Sequence, residues 1–231
     1  MEYTVNKLQD NFWSIDQQGV RAFLFVGADN AVLIDTCYGG DIKAVCESLT
    51  DKPITLITTH SDPDHIGGDG QFERHYLHEA EFPRYAAKTQ KEVPALPLAE
   101  GDTIVVGDYT LEVILIPGHT PGSIALLDRK HKILLSGDTV QTDCIYMYGD
   151  GRDLSAFRKS IEKLEAIYQE GAFDTVYASH GDVPVPADIL ADHRILADEI
   201  RNGTAIPLGP APEWFPDTVK TYGWGRAQMY Y

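Results

Sequence analysis

What most constrains the fold of this chain is a succession of short β-rich runs, each closed by a turn, with helical periodicity between only some of them. Residues 22–26 and 31–34 flank Gly27-Ala28-Asp29-Asn30, which is the pattern of a hairpin. The period then changes: residues 41–49 place Ile42, Val45, Cys46 and Leu49 on one helical face, and residues 54–58 form a β-branched strand ending at Thr59-His60. Further strands are expected at 103–106, 111–116, 123–127, 132–135 and 175–178. Asp153 is placed to cap a helix whose apolar residues Leu154, Phe157, Ile161 and Leu164 fall at helical intervals, and 186–202 reads as a second amphipathic helix stopped by Gly203. Strands mixed with helices bury their apolar faces by layering, so the fold class is α/β with two sheets.

The 231 residues carry no fixed-period repeat, low-complexity run or Ser/Gly linker, so residues 1–231 are expected to form one domain. From about residue 210 the chain is rich in aromatics: Trp214, Phe215, Tyr222, Trp224, Tyr230 and Tyr231. A disordered tail would not hold them. Packing across the domain or a homodimer contact is the plain expectation, and lining a substrate pocket is the sharper alternative. A formal charge of −16 repels phosphate backbones and anionic lipid heads, which speaks against nucleic-acid and membrane partners. No stretch is apolar enough to span a bilayer and the first residues lack a secretory pattern, so the protein is expected to be cytoplasmic. The three cysteines are widely spaced and lack a CxxC pair, which indicates buried free thiols.

Four of the eight histidines, His60, His65, His119 and His180, each follow an expected strand beside small or turn-forming residues. Strand ends are rigid and the turns after them can aim side chains into a common cleft, as a metal site requires. Asp62, Asp64 and Asp138 share that context. Within the run His60-Ser61-Asp62-Pro63-Asp64-His65 four donors are packed into six residues, and burying Asp64 with His65 demands a partner for the charge. A divalent metal is such a partner. His75, His78, His131 and His193 fall in expected helices or polar turns without matching acids and read as surface or packing residues.

These residues resemble the metallo-β-lactamase superfamily, in register from about Ala22 to His180. The family's Thr-His-x-His-x-Asp-His-x-Gly-Gly stands here as Thr59-His60-Ser61-Asp62-Pro63-Asp64-His65-Ile66-Gly67-Gly68, with aspartate in place of the second histidine. Pro117-Gly118-His119-Thr120-Pro121-Gly122-Ser123, Ser136-Gly137-Asp138-Thr139 and Ser179-His180-Gly181 resemble the later ligand motifs, and Leu33-Ile34-Asp35-Thr36 the early strand whose aspartate supports the site. The resemblance implies a four-layer αβ/βα sandwich, two facing mixed β-sheets with helices outside, and a binuclear centre. Carried over, one metal takes His60, Asp62 and His119, the other Asp64, His65 and His180, with Asp138 bridging both. A hydroxide between the metals would be the nucleophile, and Asp64 would assist proton transfer. Zinc is the first expectation. Asp62 adds a negative charge, making the centre about neutral, and its oxygen ligation tilts that site towards iron or manganese.

The function this implies is hydrolysis of a small-molecule ester, thioester, lactone or phosphoester. Flavodiiron proteins also resemble the chain and carry a carboxylate at the second-histidine position, so a diiron oxidoreductase lacking its flavodoxin-like domain is the alternative. A non-catalytic metal-binding protein is the third reading. Tyr146, Tyr148 and Arg152, in a Gly/Asp-rich loop after the Asp138 motif, are either ordinary loop packing or selectors of substrate.

Overall fold

The computed structural model describes residues 2–89 and 93–231, and the chain divides into two compact units, Met1–Val113 and Ile114–Tyr231. In the first unit, β1 (Thr4–Gln9), β2 (Phe12–Gln17), β3 (Val20–Val26) and β4 (Ala31–Ile34) form an antiparallel meander. The hairpin expected around residues 27–30 is there, with Val26 opposite Ala31. After helix α1 (Ile42–Leu49), β5 (Ile54–Ile57) pairs parallel to β4. Helix α2 (Pro63–Ile66), β6 (His75–Leu77), helix α3 (Phe82–Lys88) and β7 (Ala95–Pro97) follow, and β6 and β7 extend the parallel part, giving a mixed seven-stranded sheet in chain order. β8 (Thr103–Val106) and β9 (Tyr109–Leu115) form an antiparallel hairpin.

The two-residue period of a strand sorts β3 onto two cores. Ala22 and Leu24 join Ile15, Leu33 and Leu56 under Ile42 and Cys46 of α1. Phe23 and Phe25 point to the opposite face, where Phe12 stacks on Phe25 with centroids 4.2 Å apart and Tyr109 meets Phe25 edge-on at 4.8 Å. Each such fully buried apolar side chain contributes about 2 kcal/mol, which clamps both faces of the sheet whose strand ends carry the first candidate ligands.

In the second unit the sheet order is β14-β13-β11-β10-β9, where β10 is Ile124–Asp128, β11 Ile133–Leu135, β13 Thr175–Tyr177 and β14 Val185–Pro186. β11 and β13 are parallel and the other pairs that involve them antiparallel. Between β11 and β13 run β12 (Cys144–Tyr146) and helix α4 (Leu154–Gln169); helix α5 (Ile189–Asn202) follows β14. Asp153 caps α4 as expected, accepting from Ala156 N at 2.9 Å, and Gly203 ends α5 in the left-handed conformation at φ 70°. α5 begins at Ile189, three residues later than its pattern suggested, because Pro186 belongs to β14. Phe157, Ile161 and Leu164 of α4 and Leu190, Leu196 and Ile200 of α5 share one core with Leu127, Leu134 and Val176.

The aromatic tail packs within its own unit. β15 (Gly209–Pro210), β16 (Lys220–Trp224) and β17 (Ala227–Tyr230) form a third sheet with β12, in which β17 runs parallel to β12 with Cys144 opposite Gln228. Phe215 sits 5.2 Å from both Tyr146 and Tyr230, and Arg226 Nε donates to Asp192 Oδ2 of α5 at 2.9 Å. Cys37, Cys46 and Cys144 are free and buried, as expected. Among the described residues no helix is long and apolar enough to cross a membrane.

Candidate functional site

The first group of candidate ligands hangs from the ends of β4 and β5. Asp35, directly after β4, adopts φ 63°, a left-handed conformation that costs a non-glycine residue about 1 kcal/mol. What holds it there is a buried carboxylate with three donors: Thr59 N at 2.7 Å, Thr59 Oγ1 at 2.8 Å and His65 Nδ1 at 2.8 Å. The Thr59 hydroxyl hydrogen is spent on Asp35, so in its 3.0 Å contact with His60 Nδ1 the imidazole is the donor. Both histidines therefore carry their proton on Nδ1, by the logic of this network, and present the Nε2 lone pair. His60 Nε2 lies 3.8 Å from Asp62 Oδ2, and His65 Nε2 lies 3.8 Å from Asp64 Oδ2.

Gly67 explains how α2 can sit so close to the turn after β4. Its N donates to Cys37 O at 2.9 Å, and a Cβ at this position would fall 2.1 Å from the Tyr38 carbonyl carbon. Behind these candidate ligands, Thr36 Oγ1 donates to Asp69 Oδ1 at 2.7 Å. Burial pushes the Asp69 carboxyl up to about 8 against the pull of that hydrogen bond, and burial lowers His75 to about 4. His75 stands in strand β6, not in the helix or polar turn expected for it, and is fully buried with its ring 4.5 Å from Tyr85. It is a packing residue.

Asp62 is engaged on its other oxygen. Oδ1 accepts from Arg84 NH2 at 3.1 Å and Lys88 Nζ at 2.5 Å, both on α3. Glu81, at the start of that helix and fully buried, accepts from Ser61 N at 2.9 Å and lies 3.8 Å from Arg84 Nε. The sequence reading passed over Glu81, Arg84 and Lys88, although their i, i+3, i+7 spacing marks one charged helical face.

The second group belongs to the second unit. Gly118 takes φ 139°, and a Cβ there would lie 2.3 Å from Phe157 Cα, so the turn lets the backbone pass against α4 and aims His119. His119 Nδ1 lies 3.1 Å from Tyr146 O. A carbonyl only accepts, so Nδ1 carries the proton and Nε2 the lone pair. The Arg152 guanidinium donates to His119 O. The loop considered as a substrate selector thus holds the candidate ligand His119 from two sides. Asp138 follows β11 through Ser136-Gly137, and His180 follows β13; Ser179 N donates to Gly137 O at 3.2 Å, tying the two turns together. Asp138 Oδ2 is 3.5 Å from His119 Nε2 and 3.4 Å from His180 Nε2, so one carboxylate oxygen stands between two imidazoles.

The separations around Asp138 are compatible with donors that share a metal ion. Two donors about 2.0–2.2 Å from one tetrahedral ion stand about 3.3 Å apart, close to the 3.4 and 3.5 Å around Asp138. His60, Asp64, His65, His119, Asp138 and His180 belong to histidine and aspartate groups that could hold a metal ion; among the described residues Asp62 falls outside them.

The chain is similar to known proteins over most of its length. A hydroxyacylglutathione hydrolase from Bdellovibrio bacteriovorus is 32% identical over 169 residues, covering 68% of this chain and 62% of that protein's length. The chain thus spans less than two thirds of that relative. An acyl-coenzyme A thioesterase MBLAC2 from Gallus gallus is 32% identical over 198 residues, covering 74% of this chain and 72% of its own. Among solved structures, a metallo-β-lactamase from Pontibacter korlensis superposes with a TM-score of 0.72 at 22% identity, covering 85% of this chain and 99% of the other, so the α/β sandwich fold of that family is the fold here. The sequence model of the metallo-β-lactamase superfamily matches residues 15–180, and with that match the chain belongs to the metallo-β-lactamase superfamily.

Proposed function

We propose that the protein is a metal-dependent hydrolase of a small-molecule thioester, and that His60, Asp62, Asp64, His65, His119, Asp138 and His180 serve as ligands of two divalent ions, zinc first. The observation that carries this reading is the single Asp138 oxygen between His119 Nε2 and His180 Nε2, the arrangement a bridging carboxylate needs. Two such ions would supply an activated water, with a pKa near about 7, and would polarise the carbonyl under attack. The chain's own residues do the rest. Asp35, Thr59 and Tyr146 O hold three imidazoles in the tautomer that leaves Nε2 open. Asp64, with a side chain 20% exposed beside His65, is placed to take up and return a proton. Tyr146 and Tyr148, side chains of the loop that grips His119, pack against Phe215 and keep exposed surface with which they would contact an acyl group. Arg152 acts on His119 by holding its carbonyl.

The relatives support the thioester over the other substrates, since the names of both specify thioester hydrolysis. The formal charge of −16 works against a nucleic-acid substrate. The test is thiol release from a hydroxyacylglutathione and from an acyl-coenzyme A, followed with a chromogenic thiol reagent on zinc-loaded protein. The protein's own thiols, buried and pushed up to about 12, add little background. Release from either substrate, abolished in Asp138→Ala with an unchanged circular dichroism spectrum, is the expected result. Turnover of a phosphoester with neither thioester cleaved would overturn the substrate class, and full activity in Asp138→Ala would overturn the site.

A further inference from the structure

We infer that Arg84 and Lys88, by pairing with Oδ1 of Asp62, cancel the negative charge that this aspartate brings beside His60, an inference that rests on His60 and Asp62 being metal ligands. An aspartate in place of a ligand histidine poses two problems: it has two oxygens where histidine offers one nitrogen, and it is charged. The structure answers both on one face of α3. Arg84 NH2 and Lys88 Nζ converge on Oδ1 at 3.1 and 2.5 Å, leaving Oδ2 as the atom 3.8 Å from His60 Nε2. Asp62 and Glu81 carry two negative charges and Arg84 and Lys88 two positive ones, so the cluster is neutral, as a histidine would be.

The Asp62, Arg84 and Lys88 side chains are only 11%, 13% and 27% exposed, so solvent screens these charges weakly. An anion-binding role for the two cations fits less well, because each already has a carboxylate partner. The negative charge that Asp62 brings is thereby offset within its own cluster.

Removing the cations should therefore leave the charge of Asp62 uncompensated and draw a metal ion in more tightly. Chelator-stripped protein is titrated with zinc, and separately with manganese, in competition with a chromophoric chelator, and bound metal is counted by plasma mass spectrometry. Wild type is compared with Lys88→Met, Arg84→Met/Lys88→Met, and the double variant carrying Asp62→Asn. We expect two ions per chain in wild type. One of the two should bind at least about tenfold tighter in the double variant and roughly threefold tighter in Lys88→Met, with the other ion unchanged, and Asp62→Asn should reverse the gain.

Unchanged or weaker binding in the double variant overturns the inference while leaving the hydrolase reading intact. Wild type that binds no metal overturns both. If the double variant does not fold by circular dichroism, Lys88→Met alone decides: its lysine is the more exposed of the two cations, and no tightening there overturns the inference.

Discussion

Replacing Asp35 by alanine removes the acceptor for three buried donors and leaves alanine at φ 63°. The Thr59 hydroxyl can rotate towards another acceptor, but Thr59 N and His65 Nδ1 are fixed by the backbone and by ring packing. Each of the two stranded donors costs about 1–3 kcal/mol, while the left-handed backbone cost is borne by aspartate and alanine alike, so a loss of about 4 kcal/mol is expected. The assay is urea denaturation at pH 7 in the presence of a chelator, followed by circular dichroism, so that metal binding contributes nothing. Asp35→Gly should recover about 1 kcal/mol of the loss, because glycine has no Cβ penalty at this φ. Asp35→Asn should fall between, since its oxygen can still accept from Thr59 N while its amide faces His65 Nδ1. Metal affinity, measured separately, should drop about 10- to 100-fold in Asp35→Ala, the usual cost of removing a ligand's supporting partner. A metal-free Asp35→Ala protein within about 1 kcal/mol of wild type would refute the reasoning, because the carboxylate would then not be holding the turn.

Burial of His193, which accepts from Gln141 N and donates to Ile189 O, lowers its imidazole to about 4. The unfolded chain, with the ordinary value near about 6.5, binds the proton first, so this contribution to stability is whole above pH 6.5 or so and falls away towards pH 4, by about 3 kcal/mol; His193→Gln should flatten the pH dependence of urea midpoints in that window, and an unchanged slope would refute the assignment. Gly67→Ala forces a Cβ to 2.1 Å from the Tyr38 carbonyl carbon, so a loss of about 3 kcal/mol or more is expected in thermal or urea unfolding, and a variant as stable as wild type would mean that α2 shifts freely. Metal analysis of protein purified without added metal should return two zincs, or zinc with manganese, per chain; two irons would favour the redox alternative, and one ion per chain would mean that Asp62 does not complete its site.

Much of the candidate site was legible because it is local. His60 to His65 occupy one turn after β5, and the strand, the turn and the donor spacing all lie within a dozen residues. The same holds for Gly118-His119, for Asp138 after β11 and for the capping of α4 by Asp153. Helix α1 and the β3–β4 hairpin followed from periodicity alone, because propensity, apolar spacing and turn residues agree there. The hairpin β1–β2 was passed over, since β1 is largely exposed and shows little apolar alternation.

What the sequence determined by itself, then, was the set of donors and the strand ends that carry them. What they do to one another was decided by contacts between distant segments. Asp35 reaches Thr59 and His65 across 24 and 30 residues, and Lys88 reaches Asp62 across 26. The aromatic tail became strands because β17 found β12, more than eighty residues earlier, a pairing in which neither strand's own pattern names its partner. His75 went from an expected surface or packing residue to a fully buried strand position because the sheet, not its neighbours in sequence, chose its environment. The physical reason is common to all of these: backbone propensity and turn chemistry act over a few residues, whereas the orientation and charge of a ligand are set by whichever buried partner the folded chain brings within hydrogen-bond distance.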